Sequence, residues 1–341
     1  MTDVPVFWKT DLETVAQWAG AVQKGQARVL AHSAGGRPIH AFFYGEAQPI
    51  VSKANYSSAC GAHDLSAYCG VSPKKPVIVL VGAEHGQETE GVAALVNLIS
   101  LLETGLDLAG QPDDALVEAA QWIRLVVIPV LNVDGRSRVE PAGMIGCKGN
   151  ELRYWGQGTW LDGSLCGWPD CKKVHPIKDA VSFLGGYYND DGVNPMHDQF
   201  FAPMARETKA LLDLVAAEHA DCVLHLHGGS NSPNVLLQPA YVPLEINEAV
   251  QALAGRCHDA AALEGLPFAL LSLPGKEHGN PSPSFNLVSA AHHVCGAVSA
   301  VFESNECIVD EPGEHLTHEQ VYRSHRILFE QCMRMFRERA R

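Results

Sequence analysis

The chain has 341 residues, 46% of them hydrophobic and 19% charged, with a formal net charge of −14. A composition of this kind builds a globular protein with a substantial buried core and excludes a disordered chain. The acidic balance, with no clustered run of Lys and Arg, argues against a nucleic-acid partner, because phosphate backbones are bound by concentrated positive charge.

The opening residues have neither a basic start nor a continuous apolar segment, so no secretory signal is expected and the default address is the cytoplasm. Residues 11–24 have the apolar spacing of an amphipathic helix, with acidic residues at its positive end. Two β-like runs follow, around 27–34 and 37–46, separated by Gly35-Gly36 and expected to form a hairpin. Residues 51–75 are polar and turn-rich, the pattern of an inserted surface loop. The strongly apolar run 76–83 predicts a buried strand and 88–103 a helix. A second buried strand ends at Asn132-Val133-Asp134-Gly135, a turn sequence.

Residues 140–198 are irregular, rich in Gly, Trp and Pro, and too long for a simple connection, so they are expected to form a functional wall or lid. Beyond them, 204–220 predicts a helix, 221–229 a third buried strand, 244–265 a helix, 296–304 a fourth strand and 314–338 the closing helix. Buried strands alternating with helices imply an α/β fold with a mainly parallel sheet covered on both faces. No linker or repeat divides the chain, so residues 1–341 are read as a single domain with insertions at about 51–75 and 140–198. No apolar stretch reaches the roughly 18–20 residues that span a bilayer, so no membrane partner is expected. Of the ten cysteines, Cys60/Cys69 and Cys166/Cys171 lie in loop-like segments where disulfides can form, but reduced thiols are the expectation for a chain without a signal.

Three predicted strands end in ionisable residues: His85 with Glu88, His227, and Glu303. In open α/β sheets this edge collects ligands. Two imidazoles and a carboxylate, with a fourth position left for water, make a catalytic zinc arrangement, and Glu303 falls where a general base could take a proton. Taken singly each has a bland reading as a hydrogen-bonded strand end. Their coincidence at one edge weakens it, because clustered charge needs compensation. His225 shares the strand face of His227 and reads equally as its support or as a packed core histidine, whereas Glu84 and Glu90 read as bystanders.

The segment from Ala83 to Gly91 resembles the zinc-ligand segment of the metallocarboxypeptidases. The segments that follow resemble the same family in the same order: 128–135 its Asn-Pro-Asp-Gly segment, 224–229 the strand of its third ligand, and 301–305 the strand of its catalytic glutamate. Residues 32–45 are similar to its Gly-Arg hairpin, so the likeness spans about residues 9–335. The resemblance implies a three-layer α/β/α fold with a mixed, mainly parallel central sheet. It also implies one Zn²⁺ ion on His85, Glu88 and His227, and Glu303 as general base and later proton donor. Asn194 then stands where the family orients its first zinc histidine, and Met196 and His197 replace the Asn-Arg pair that grips a substrate carboxylate. Gln87 replaces another family arginine. Arg136, Arg138 and Arg153 remain candidates for the family's further substrate arginine, with Arg153 preferred, and Phe285 and Asn286 fall where the family has a mobile tyrosine.

The resemblance therefore implies a zinc-dependent hydrolase of a peptide-type amide bond, and the lost Asn-Arg pair implies a substrate that need not be an ordinary peptide C-terminus. An N-acyl amino acid deacylase of the aspartoacylase and succinylglutamate desuccinylase type, acting on small N-acyl amino acids, is the alternative. A binding module that keeps zinc without turnover is the second alternative, opposed by the presence of Glu303. Oligomeric state is open.

Overall fold

The computed structural model describes residues 4–47, 49–71, 75–229, 231, 233–274 and 281–340. In chain order the strands are β1 (Gln26–His32), β2 (Pro38–Tyr44), β3 (Val77–Gly82), β4 (Arg124–Ile128), β5 (Gly158–Trp160), β6 (Val181–Leu184), β7 (Cys222–Gly229), β8 (Asn234–Leu237), β9 (Phe268–Ala269) and β10 (Val298–Asn305). β5 and β6 form a separate hairpin, and the others make one sheet in the order β1-β2-β4-β3-β7-β10-β8-β9. Its centre, β4-β3-β7-β10, is parallel throughout, while β1, β2 and β8 join antiparallel. The sheet is thus mixed and mainly parallel, as expected.

Continuous apolar runs explain why these strands are central. Every residue of β3 and β4 is buried, which requires cover on both faces. On one side the helix His318–Arg339 packs against Leu244–Leu263, Asp114–Gln121 and Glu90–Thr104. On the other, Arg206–Ala217 packs against Leu287–Cys295. The helix Glu90–Thr104 presents Leu95, Leu98, Ile99 and Leu101 fully buried, each contributing roughly 1.5–3 kcal/mol of transfer free energy. It stops at Gly105, whose φ of 86° is the left-handed conformation that ends helices.

Two segments differ in detail from the sequence expectation. Residues 51–71 form two short helices, Tyr56–Gly61 and Ser66–Cys69, where a loop was expected. They lie at the N-terminal ends of β3 and β7, opposite the ionisable strand ends. The segment 140–198 carries a helix, Gly149–Gly156, and the β5/β6 hairpin. It supplies part of the wall above the C-terminal strand ends, through Trp168, Lys172, Tyr187 and His197.

The hairpin and the turn after β4, far apart in sequence, meet in one buried network. Asp134 accepts from Ser33 Oγ at 2.5 Å, Arg37 Nη1 at 2.7 Å, and the backbone N–H groups of Gly35 at 2.9 Å and Asp190 at 3.1 Å. Gly35 is required there: a Cβ on it would stand 2.1 Å from both Arg37 Nη1 and an Asp190 carboxylate oxygen. This clamp ties the hairpin and the 140–198 segment to the strand that ends beside the site.

Candidate active site

After Gly82 the chain turns sharply, with Ala83 at a φ of 44°, a conformation that residues with a side chain rarely hold. The turn is closed by the Glu88 N–H donating to the His85 carbonyl at 3.2 Å, and the following helix begins only at Glu90. Glu88 therefore belongs to the turn and not to the helix. His227 comes from inside β7, and its Cα is the register partner of Glu303 in β10, so both side chains leave the sheet on one face.

Three donors converge. His85 Nδ1 lies 2.7 Å from one Glu88 oxygen and His227 Nδ1 2.7 Å from the other. One ligand atom from each of the three residues fits within 4.8 Å of the others, and all three residues are buried. The far nitrogens are held from outside: His85 Nε2 lies 3.2 Å from Asn194 Oδ1, and His227 Nε2 2.9 Å from Glu84 Oε2. Asn194 Oδ1 also accepts the Met196 N–H at 2.9 Å, so that atom is the carbonyl oxygen and His85 Nε2 must donate to it. Donation from both Nε2 atoms leaves each Nδ1 on the Glu88 side, where it donates to a Glu88 oxygen while protonated and would offer its lone pair to a metal ion once that proton is lost.

Glu84 is no bystander. Its second oxygen lies 2.5 Å from His225 Nδ1, and His225 Nε2 lies 3.2 Å from Ser299 Oγ, giving a buried chain Ser299–His225–Glu84–His227. His225 is thus the anchor of the anchor. Burial by itself would raise the carboxyl of Glu84, but His225 and His227 hold it well below the usual range. Glu88 is likewise lowered, to about 2, against its burial by His85 and His227. Two buried carboxylates around His227 are charge that costs several kcal/mol unless a cation compensates it, and a divalent metal held by His85, Glu88 and His227 would do so. The donor set fits that group.

Glu303 lies beside this group, with Oε2 buried and without a hydrogen-bond partner. Burial raises its pKa, opposed by His227. Close by, Gly228 admits no side chain, since a Cβ would come within 2.9 Å of Glu90 Oε2 and 2.8 Å of Glu306 Cγ. A cavity of about 270 Å³ opens over the metal donors, and Glu303, Lys172, Trp168, Tyr187 and His197 share in its lining. Tyr187 stacks on His85, with ring centroids 3.9 Å apart and planes 14° off parallel. A larger cavity of about 500 Å³ at the opposite sheet edge shares no residue with it.

The other residues singled out from the sequence fall elsewhere. Arg136 is buried and donates to the carbonyls of Thr10, Val139 and Pro141 at 2.7–3.0 Å, a structural clip. Arg138 donates to backbone carbonyls including those of Leu184 and Gly185 and pairs with Asp190. Arg153 is exposed and does not line the cavity. Asn286 caps the helix Leu287–Cys295, and Phe285 stacks with Phe201 outside the cavity. Glu84, Lys172 and Tyr187 were not expected at the site; Glu84 alone had a signal, its place one residue before His85 on a turn.

Because Glu84 fixes the ring of His227, Glu84→Gln is expected to weaken zinc binding by about 10–100-fold, read by competition with a chelating dye. An unchanged affinity would contradict the role given to Glu84.

A sequence model for zinc carboxypeptidases matches residues 25–262. The chain belongs to the zinc carboxypeptidase family. A search of curated proteins finds no match. Among solved structures, a metallo-carboxypeptidase of Burkholderia cenocepacia is 15% identical, with 95% of this chain and 68% of that one aligned and a TM-score of 0.58. The metallo-carboxypeptidase of Pseudomonas aeruginosa, solved in complex with (2-guanidinoethylmercapto)succinic acid, is 12% identical over 96% and 68%, with a TM-score of 0.56. Carboxypeptidase A of Helicoverpa armigera is 14% identical over 98% and 74%, with a TM-score of 0.51. At such identities these three establish the fold of this family member, a mixed α/β sheet covered on both sides. No helix among the described residues is long and apolar enough to cross a membrane.

Proposed function

We propose that this zinc carboxypeptidase family member is a zinc-dependent hydrolase of amide bonds, with His85, Glu88 and His227 holding one zinc ion and Glu303 moving the proton. The observation that carries the reading is the orientation of the two histidine rings: both Nε2 atoms are held outward, by Asn194 and Glu84, and both Nδ1 atoms face Glu88. Bound there, zinc supplies a Lewis acid for the amide carbonyl and for water.

The remaining work falls to the chain. Glu303 takes a proton from water at Oε2, which no other group engages, and returns it to the leaving nitrogen. Burial makes it a better base than an ordinary glutamate. Asn194 and Glu84 keep the histidine rings from turning, and Tyr187 covers one face of His85. The cavity of about 270 Å³ suits a short peptide terminus or a small N-acyl amino acid. Family membership favours the peptide, and the partnerless, buried oxygen of Glu303 speaks against a module that only binds zinc.

The test is a panel of peptides with free or amidated C-termini together with N-acyl amino acids. Hydrolysis of at least one class is expected, lost on chelation and restored by zinc. A chain carrying stoichiometric zinc and hydrolysing none of them would overturn the proposal.

A further inference from the structure

At positions 196 and 197, where the family resemblance places an Asn-Arg grip on a carboxylate, this chain has Met196 and His197. Neither Arg136 nor Arg138 has a free donor facing the cavity, and Arg153 lies outside its lining. Yet the cavity is not without positive charge. Lys172, from the short turn Asp170–Lys173 in the long inserted segment, is the one Lys or Arg among its described lining residues.

The surroundings of Lys172 fix where its ammonium stands. Nζ lies 2.9 Å from His197 Nε2 and 5.2 Å from the centre of the Trp168 ring. The ammonium has only donors, so His197 Nε2 must accept, and the imidazole beside it is neutral. Burial, and then the lysine, push the pKa of His197 down to about 3, in keeping with that role. The turn itself is pinned from below by Cys171, buried with Cys166, Ile177 and Tyr188 in a small apolar cluster, while Asp170 and Lys173 pair with each other at the surface at 2.6 Å. One of the three N–H donors of Lys172 is committed to His197. The ammonium shares the lining of the cleft with the carboxylates Glu88 and Glu303 and the imidazoles of His85 and His227.

We propose that Lys172, positioned by His197 and Trp168, binds a carboxylate of the substrate in this cleft, so that the positive charge absent at position 197 is supplied from the inserted turn instead. His197 then serves as the acceptor that aims the lysine. A point charge with rotatable donors replaces a planar fork, which broadens the carboxylate geometries accepted. The substrate class is accordingly a peptide or N-acyl amino acid with a free carboxylate near the scissile amide. This rests on the reading of the cleft as an amide-hydrolase site.

Binding tests it without turnover. Calorimetry on the zinc-loaded chain is expected to show hippurate binding about tenfold more tightly than hippuramide, the strength of a charge-assisted hydrogen bond. Lys172→Met is expected to erase that preference, and Lys172→Arg to keep most of it. His197→Gln, which retains an acceptor, is expected to preserve more of it than His197→Leu. A preference for hippurate that survives Lys172→Met, or no preference in the unaltered chain, would overturn the assignment. A chain that binds hippurate through Lys172 but hydrolyses nothing would refute the proposed function alone.

Discussion

Replacing Glu303 with glutamine is expected to lower kcat/KM by about 10²–10⁴-fold while zinc content stays unchanged, because a positioned proton-transfer group contributes that much and the substitution preserves shape. Glutamine disturbs little else, since Glu303 Oε2 has no hydrogen-bond partner to lose and none of the three metal donors is altered. Elemental analysis and initial rates on one preparation separate the two readouts. A pH dependence accompanies the loss. Burial raises the pKa of Glu303, so the base is protonated and idle below a pH higher than for an ordinary glutamate, and kcat/KM falls as pH drops through that raised value. In Glu303→Gln this acid limb disappears from the residual rate. Unaltered hydrolysis in the variant would remove Glu303 from the mechanism.

The second large effect concerns stability. Asp134→Asn is expected to cost about 3 kcal/mol, since an amide presents hydrogens where a fully buried carboxylate accepts from Ser33, Gly35, Arg37 and Asp190. Burial would raise the pKa of Asp134, but those donors hold it below its usual value. A lowered folded-state pKa stabilises the protein above the unfolded-state value of about 3.8–3.9. That contribution is lost as pH falls through the lower, folded-state value. Urea melts at neutral pH are therefore expected to show the full gap between parent and variant, and melts in strong acid a closing gap. A gap that is absent at neutral pH would mean that the clamp does not stabilise the fold.

Strand ends were the legible part of the site. Hydrophobic runs such as 76–83 and 221–229 announce buried strands because only strands covered on both faces tolerate such sequences, and ionisable residues at their ends stand out against that background. His85, Glu88 and His227 were reachable in this way, and the structure gathers them. The 140–198 segment was not legible. Its path depends on long-range pairings such as Asp134 with Arg37 and Asp190, which leave no periodic trace. For the same reason nothing in the sequence singled out Lys172, and Arg153 was preferred although it is exposed and outside the cavity lining.

Sequence alone indicated a mainly parallel sheet, the helices that cover it and the candidate metal donors His85, Glu88 and His227, since these follow from local periodicity and from the cost of placing charge at the end of an apolar strand. Tertiary structure decided which nitrogen of each histidine faces Glu88. It also made Glu84 and His225 parts of the site and brought a lysine from the inserted segment to the cleft. Ring orientations and cleft walls are set by contacts between residues more than a hundred positions apart, as in the pairs Glu84–His227 and His85–Asn194, and such contacts exist only once the chain has closed on itself.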